Sequence, residues 1–246
     1  MAETETDWFP LLRSPFLTTT GIIVASTLGL VLVRSNASSI YDLVIFKMTS
    51  LWYKAVIDRI SSACILDIGI GNATSCLAHA DLLKEKSITV KGVDFTQHYV
   101  DAAQVNIASK DAASNVSVVY GSVYDLPLLK SLAPKGPNSK FDAVYFSGSI
   151  SLLPDPLEAL RTVAKVLKKG GLIYVTQTYQ HRNVPGLATF KRNMKFFTTI
   201  DFGELTFEKD IMEIYNNSEY EVVEHKPIEG SVDNAFQTAY LTILKV

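Results

Sequence analysis

Cysteine and histidine are both scarce in this 246-residue sequence. It has 2 cysteines and 4 histidines, and no pair of them has the spacing typical of metal ligands. Cys64 and Cys76 lie in apolar stretches, which indicates small buried residues rather than a disulfide framework. The sequence therefore predicts no metal site.

An excess of either sign of charge is also absent. Lys and Arg total 23 against 25 Asp and Glu, which gives a net charge of −2. Such a chain lacks the broad basic surface typical of nucleic-acid binding, so no nucleic-acid partner is expected. The 48% of hydrophobic residues indicates a packed globular core.

One long uncharged run lies near the N-terminus. Ser14–Val33 contains no charged residue, and a helix of this length would span about 30 Å, the thickness of the hydrocarbon core of a bilayer. We favour a membrane anchor, and a targeting peptide or a buried N-terminal helix stay open as alternatives. A targeting peptide should start with basic residues, whereas residues 1–13 hold three acids and a single Arg.

Basic residues follow the uncharged run, at Arg34, Lys47, Lys54 and Arg59. On the anchor interpretation, the positive-inside rule places the C-terminal part in the cytosol. The expected organisation is an N-terminal tail and hydrophobic anchor over residues 1–36 and one domain over residues 37–246, with no room for a second domain.

Apolar, β-rich runs alternate with helical patterns along this domain. The predicted strands cover residues 63–68, 87–93, 116–120, 141–146 and 172–178. The predicted helices cover residues 40–59 (as one or two helices), 73–86, 97–113 and 156–167, with Gly170 and Gly171 just past the last of these. Strands joined by helical crossovers predict an α/β fold with a parallel sheet and helices on both faces.

The C-terminal part breaks this alternation. A helix is predicted from an N-cap at Thr206 to about Asn217, followed by strands over residues 220–228 and 237–246. The loop between these strands is too short for a parallel crossover, so the two strands should pair antiparallel.

The stretch ILDIGIGNAT, from Ile65 to Thr74, combines a strand, a Gly-x-Gly turn and the start of a helix. Gly69 and Gly71 allow a tight turn and a close approach of a ligand to the backbone. Asp67 places a carboxylate beside the turn, which suits a cationic ammonium group better than a pyrophosphate. The pattern indicates a ligand such as S-adenosylmethionine, although Asp67 could alternatively only cap the turn.

Polar residues follow the other predicted strands at the same edge of the sheet, where ligands of open α/β sheets bind. Asp94 ends the second strand and can accept hydrogen bonds from both ribose hydroxyls, and Phe95 can pack on an adenine. Ser122 follows the third strand, and Ser147 follows the fourth. Four strand ends therefore converge on one predicted crevice.

These segments together resemble class I S-adenosylmethionine-dependent methyltransferases, and most of all the ubiquinone/menaquinone-type C-methyltransferase (methyltransferase type 11) group. The matching segments follow the family's order from Ile65 to Gln177: ILDIGIGNAT, VKGVDF, VVYGSVYDLP, KFDAVYFSGSISLLPDP and LRTVAKVLKKGGLIYVTQ. The resemblance implies a Rossmann-like, seven-stranded, mostly parallel sheet with an antiparallel terminal strand.

The resemblance also implies the contacts to the S-adenosylmethionine cofactor. Asp67, Gly69 and Gly71 would hold the methionyl end, and Asp94 would hold the ribose. The other predicted contacts are Tyr41 as a cover over the cofactor, Asn72 in place of the family's Thr or Ser, Phe95, Ser122 and Val123 at the adenine, and Ser147.

Two departures from the family pattern affect these roles. Ser122 stands where an acid usually meets the adenine amine, so that contact could move to Asp125. Leu152 and Leu153 replace a common His-His pair, so no acid/base role is expected there.

Methyl transfer from a sulfonium is an in-line displacement that needs a general base only if the acceptor must lose a proton. Tyr179 and His181, just past the fifth strand, are the candidates for such a base, although His181 could equally be a surface residue. No other catalytic residue is identified from the sequence.

The acceptor region, residues 181–207, interleaves phenylalanines with basic residues. This composition suits a lipophilic or amphiphilic acceptor reached from a membrane, or alternatively an amphipathic helix packed on the sheet. A protein side-chain methyltransferase and a non-catalytic scaffold that keeps the cofactor fold stay open. A short-chain nicotinamide oxidoreductase is disfavoured because no Tyr-x-x-x-Lys is present, and two cysteines are too few for arsenic methylation.

Overall fold

The computed structural model describes residues 45–110, 115–136, 139–181 and 206–246. The predicted anchor, Tyr41 and most of the acceptor region lie outside these residues. Within the described part of the chain, no helix combines the length and the apolar character needed to cross a membrane.

Seven strands and seven α-helices make up the described elements. The strands are β1 (Cys64–Ile68), β2 (Thr89–Asp94), β3 (Val116–Tyr120), β4 (Phe141–Ser147), β5 (Leu167–Gln180), β6 (Glu221–Pro227) and β7 (Gln237–Lys245). The helices are α1 (45–57), α2 (Thr74–Leu77), α3 (Ala80–Glu85), α4 (Gln97–Ser109), α5 (Leu126–Leu132), α6 (Pro156–Ala164) and α7 (Glu208–Asn217). A short 3₁₀ helix covers Ile150–Leu152.

All seven strands belong to one sheet in the order β3-β2-β1-β4-β5-β7-β6. Strands β1 to β5 run parallel, and β7 lies antiparallel between β5 and β6. The predicted Rossmann-like sheet with antiparallel terminal strands is confirmed. The strand order reverses at β1, and a crevice for ligands opens at the carboxyl ends of the strands at such a point.

The sheet is covered on both faces, which explains its nearly continuous apolar strands. In β1, Ile65 contributes to the core on one face and Leu66 to the core on the other. Apolar residues of α1 to α4 belong to the first core, and those of α5 to α7 belong to the second.

The predicted helices differ from the observed ones in their bounds, and the helix predicted over residues 156–167 ends at Ala164. The helix predicted over residues 73–86 is two helices, α2 and α3, and His79 at their junction bonds Ser50 of α1 through its Nε2 atom. The helix predicted to residue 113 ends at Ser109. The N-cap of the last helix is Phe207 rather than Thr206, whose carbonyl instead accepts a hydrogen bond from the Gln180 amide.

The fifth strand begins at Leu167, so Gly170 and Gly171 lie inside β5 rather than between a helix and a strand. The pairing of β5 with β4 shifts between Phe141 and Ala143, and Gly170 has a φ of +73°. A local bulge of this kind absorbs extra residues within a strand, and glycine adopts the required positive φ without strain.

Helix α5 was not predicted from the sequence. It follows the third strand after a short turn, and the Asp125 side chain caps it by accepting a hydrogen bond from the Leu128 amide at 3.0 Å. Pro127 occupies one of its first two positions, where its missing N–H costs no hydrogen bond.

Candidate functional site

The glycine turn after β1 depends on residues with positive φ. Gly69 and Gly71 have φ values of +77° and +63°. A Cβ on Gly69 would lie 2.5 Å from the Ser149 Cβ, so this glycine permits the close packing of two loops. A Cβ on Gly71 would meet no atom within 4 Å, so the space beside this glycine is open. The turn thus leaves its backbone accessible to a ligand.

Asp94, at the end of β2, joins two of the loops at this edge. Its Oδ2 accepts a hydrogen bond from the Gly71 amide at 2.8 Å, and its Oδ1 accepts one from the Thr96 amide at 2.9 Å. Each carboxylate oxygen keeps a further lone pair. Asp94 can therefore fix the glycine turn and still accept hydrogen bonds from ribose hydroxyls.

Asp67 is fully buried beneath the glycine turn. Its Oδ2 accepts a hydrogen bond of 2.6 Å from the Tyr53 hydroxyl, whereas its Oδ1 has no hydrogen-bond partner among the described residues. The pKa of this carboxyl is raised to about 7, mainly because burial disfavours its charged form. The hydrogen bond from Tyr53 lowers the pKa, and the nearby charge of Asp94 raises it. A buried acceptor without a donor is costly, and a bound cation or an ordered water would satisfy it.

The loops after β3 and β4 complete the edge. The Ser122 hydroxyl accepts a hydrogen bond from the Tyr124 amide at 3.2 Å, and Val123 is buried beside it. Ser147 lies at the end of β4, and the Ser149 hydroxyl donates to the Ile68 carbonyl. Asp125 caps α5 and is not among the cavity-lining residues described below, so an adenine contact through Asp125 is not supported.

A cavity of about 1020 Å³ lies at this edge. Of the predicted cofactor contacts, Gly69, Gly71, Asn72, Asp94, Phe95, Ser122, Val123 and Ser147 line it. Asp67 lies behind its wall, connected to it through Tyr53, which does line it. The structure therefore brings together nearly all the described residues that the sequence assigned to one ligand.

The exposed Phe95 ring stacks on the Tyr120 ring, with centroids 6.0 Å apart and planes at 23°. Phe95 follows β2, and Tyr120 is the last residue of β3. The exposed Phe95 ring is a flat apolar surface, and its packing on an adenine stays a prediction.

Helix α1 forms a wall of the cavity that the sequence did not identify. Ile45, Thr49 and Tyr53 line the cavity at intervals of four residues, and Phe46 lies beside them. Residues four apart share one face of a helix, so this spacing was a usable signal. The side chains of Thr49 and Ser75 lie 2.6 Å apart, which fixes α1 against α2.

The loop after β4 adds an apolar wall, formed by Leu152, Leu153 and Pro154. Leu152 is half exposed. Together with Ile45 and Phe46, these side chains add an apolar part to a lining that is polar at the glycine turn.

The two candidate bases are not brought to this cavity. The Tyr179 side chain is fully buried, with its hydroxyl 3.3 Å from that of Tyr215, and burial raises its pKa well above the usual range. The His181 Nε2 atom lies 2.8 Å from the Thr238 hydroxyl oxygen, and His181 does not line the cavity. The strand β5 continues past the predicted end at residue 178, and this carries both side chains away from the site.

Among the described residues, no three His, Cys, Asp or Glu side chains are grouped so that they could hold a metal ion. Cys76 is buried and Cys64 is half-buried, and neither lines the cavity. Burial raises the pKa of both thiols, which disfavours the nucleophilic thiolate form.

Comparisons with known proteins agree with this architecture. The sequence model of a family described as "Methyltransferase domain" matches residues 61–227. Arsenite methyltransferase of Mus musculus is 31% identical over 134 residues, which cover 52% of this chain and 34% of that protein. Demethylmenaquinone methyltransferase of Staphylococcus epidermidis is 27% identical over 167 residues, which cover 65% of this chain and 63% of that protein.

The chain therefore spans about a third of one of these relatives and less than two thirds of the other. Among solved structures, a SAM-dependent methyltransferase from Thiobacillus denitrificans in complex with S-adenosyl-L-homocysteine superimposes with a TM-score of 0.53 at 13% identity. The superposition covers 79% of this chain and 90% of that chain, and it shows a common fold.

Proposed function

This chain belongs to the methyltransferase-domain family, that of the class I S-adenosylmethionine-dependent methyltransferases, and from that membership we propose that it transfers a methyl group from S-adenosylmethionine to a lipophilic or amphiphilic small molecule. The observation that carries this proposal is the cavity at the reversal of strand order, which is polar at the glycine turn and apolar at α1 and the loop after β4.

The described residues fit the cofactor. Gly71 leaves open space beside the turn, and Asp94 keeps free lone pairs for ribose hydroxyls. The unpaired Oδ1 of Asp67 suits the cationic methionyl end, either directly or through water. Phe95 would stack on the adenine, and Ser122 and Val123 would contact its edge. Asn72, Ser147 and Tyr41 stay predicted contacts.

The bound cofactor supplies an activated methyl group on a sulfonium, so the protein mainly has to bind, orient and exclude water. The apolar side chains of Ile45, Phe46 and Leu152 would exclude water around the acceptor. Because Tyr179 and His181 lie away from the cavity, no base role is assigned to them.

Two features favour a lipophilic acceptor over arsenite. Ile45, Phe46, Leu152, Leu153 and Pro154 give the cavity an apolar part of its lining, and both cysteines lie outside that lining. The relative from Staphylococcus epidermidis, named for a quinone-type acceptor, is consistent with this choice. A protein side-chain methyltransferase is the second candidate, since the apolar wall would also accept an apolar peptide segment.

We extend the proposal to the N-terminal segment. Residues 1–36 would form a tail with an anchor at Ser14–Val33, and residues 37–246 would form the catalytic domain on the cytosolic side of a membrane. This arrangement would present the apolar wall to acceptors dissolved in the bilayer.

The direct test is label transfer. The full chain is incubated with methyl-labelled S-adenosylmethionine and either membrane lipid extract or membrane protein extract, followed by mass spectrometry of the labelled products. We expect label in the lipid fraction and its loss with Asp94→Asn. Label only in protein would overturn the lipophilic acceptor, and no label in either fraction would overturn the methyltransferase proposal.

Deletion of residues 1–36 tests the anchor. Compared with the full chain, the shortened chain should transfer less label to acceptors in vesicles and the same amount to acceptors in detergent. If the two chains transfer equally to acceptors in vesicles, the anchor is refuted.

A further inference from the structure

Tyr53 connects the cavity to the buried Asp67. The tyrosine lies on α1 and lines the cavity, yet only 5% of it is exposed. Its hydroxyl donates to the Asp67 Oδ2 at 2.6 Å. Because one carboxylate oxygen is held by Tyr53, the other, Oδ1, keeps its lone pairs without a partner among the described residues.

The Tyr53 ring is positioned independently of this hydrogen bond. It packs edge-on against Tyr145, with centroids 5.0 Å apart and planes at 88°. Tyr145 is itself fixed by a contact of 2.9 Å between its hydroxyl and that of Thr176. A phenylalanine at position 53 should therefore keep its place in the core and lose only the hydroxyl.

The groups facing Asp67 come from every element packed around it. They are Tyr53 from α1, Cys76 from α2, Asp94 from β2 and Tyr145 from β4. Burial and the Asp94 charge favour the neutral form of Asp67, and the Tyr53 hydroxyl favours the carboxylate. Tyr53 thus opposes the desolvation that would otherwise leave Asp67 neutral.

We propose that Tyr53 is a positioning residue for the cofactor: its hydroxyl holds Oδ2 of Asp67, favours the carboxylate form and leaves Oδ1 for the cationic methionyl end, directly or through water. The inference rests on the assignment of Asp67 to that end of the cofactor, made above. The charged carboxylate attracts an ammonium group, whereas the protonated carboxyl lacks the charge and offers a hydrogen-bond donor that competes with it.

Isothermal titration calorimetry with S-adenosylhomocysteine tests this role, because that molecule carries the same ammonium group. The proteins are the wild-type chain, Tyr53→Phe and the control Tyr215→Phe, which also removes a buried tyrosine hydroxyl, one that lies beside Tyr179 and outside the cavity lining. The Tyr53 hydroxyl lowers the pKa of Asp67, so its loss should raise that pKa further above 7. Affinity of Tyr53→Phe should then fall at least about fivefold near pH 7 and recover to within about twofold near pH 9.

A second measurement compares proton release. Binding in two buffers of different ionisation enthalpy gives the number of protons released near pH 7, and because the Tyr53 hydroxyl lowers the pKa of Asp67, Tyr53→Phe should release more than the wild-type chain. Equal release by the two proteins would overturn the inference.

The variants separate the two assignments. Asp67→Asn should bind S-adenosylhomocysteine much more weakly than wild type at all pH values, and equal binding would refute the assignment of Asp67 to the cofactor. If Asp67→Asn binds weakly but Tyr53→Phe matches wild type, or is weakened equally at all pH values, the role of Tyr53 is refuted. Recovery of Tyr53→Phe at high pH, with Tyr215→Phe unchanged throughout, would support it.

Discussion

The replacement Asp67→Asn should stabilise the free protein near neutral pH while it weakens cofactor binding. The Asp67 carboxyl has a folded-state pKa of about 7, raised mainly by burial from its ordinary value of 3.8. A raised pKa means that the folded state binds the proton more tightly than the unfolded state. This contribution to stability is complete below the unfolded pKa and is lost as the pH rises through the folded pKa.

The size of the effect follows from the pKa difference. The whole titration amounts to about 4 kcal/mol, of which about 3 kcal/mol falls between about pH 5 and about pH 8. Asparagine does not titrate, so this pH dependence should disappear in the variant. The asparagine amide would place a donor without a partner where Oδ1 lies, at a cost of about 1–3 kcal/mol at every pH. Because that cost is the same at every pH, it does not change the difference in relative stability between about pH 5 and about pH 8.

Urea unfolding of wild type and Asp67→Asn, at about pH 5 and about pH 8, measures this difference. We expect the stability of the variant relative to wild type to rise by about 3 kcal/mol from the lower to the higher pH. Asp58→Asn is the control, since the Asp58 carboxylate is exposed in a pair with Lys54 and should show no comparable change. A relative stability of Asp67→Asn that stays constant within about 1 kcal/mol would refute the account of Asp67 as a destabilised, buried carboxylate.

Three further predictions concern the turn and the cavity walls. Gly69→Ala should lower the free energy of unfolding by at least about 2 kcal/mol, because a positive φ and a contact with Ser149 both oppose the new Cβ. Gly71→Ala should cost only about 1–2 kcal/mol, since its Cβ meets no atom; equal losses in urea unfolding would contradict the packing argument. Phe95→Ala should weaken S-adenosylhomocysteine binding about tenfold by calorimetry, and unchanged affinity would exclude adenine stacking. Leu152→Glu should lower kcat/KM for a lipophilic acceptor about tenfold with little change in cofactor affinity, whereas the exposed Val105→Glu on α4 should leave both unchanged. Equal effects of the two glutamates would refute the acceptor wall.

Most of the fold and much of the site were predictable because local patterns carry them. Continuous apolar strands between helical patterns indicate a parallel sheet, and a Gly-x-Gly turn after a strand indicates a ligand site at its carboxyl edge. Strand β3 has its predicted bounds, and the antiparallel pairing of β6 and β7 follows from their short connection. Helix α5 was missed because its seven residues are too few to show a clear helical period.

The alternation of strand and helix patterns was enough to predict the parallel sheet and the residues that follow each strand. Which residues face them across the cavity became visible only in the folded chain. Tyr53 contacts Asp67 from 14 positions away, and α1 and the loop after β4, about a hundred positions apart, line the same cavity. Tyr179 and His181, which follow the predicted end of the fifth strand, do not line it. Burial, charge state and distance between such groups are set by packing, and neither hydrophobic period nor motif spacing records them.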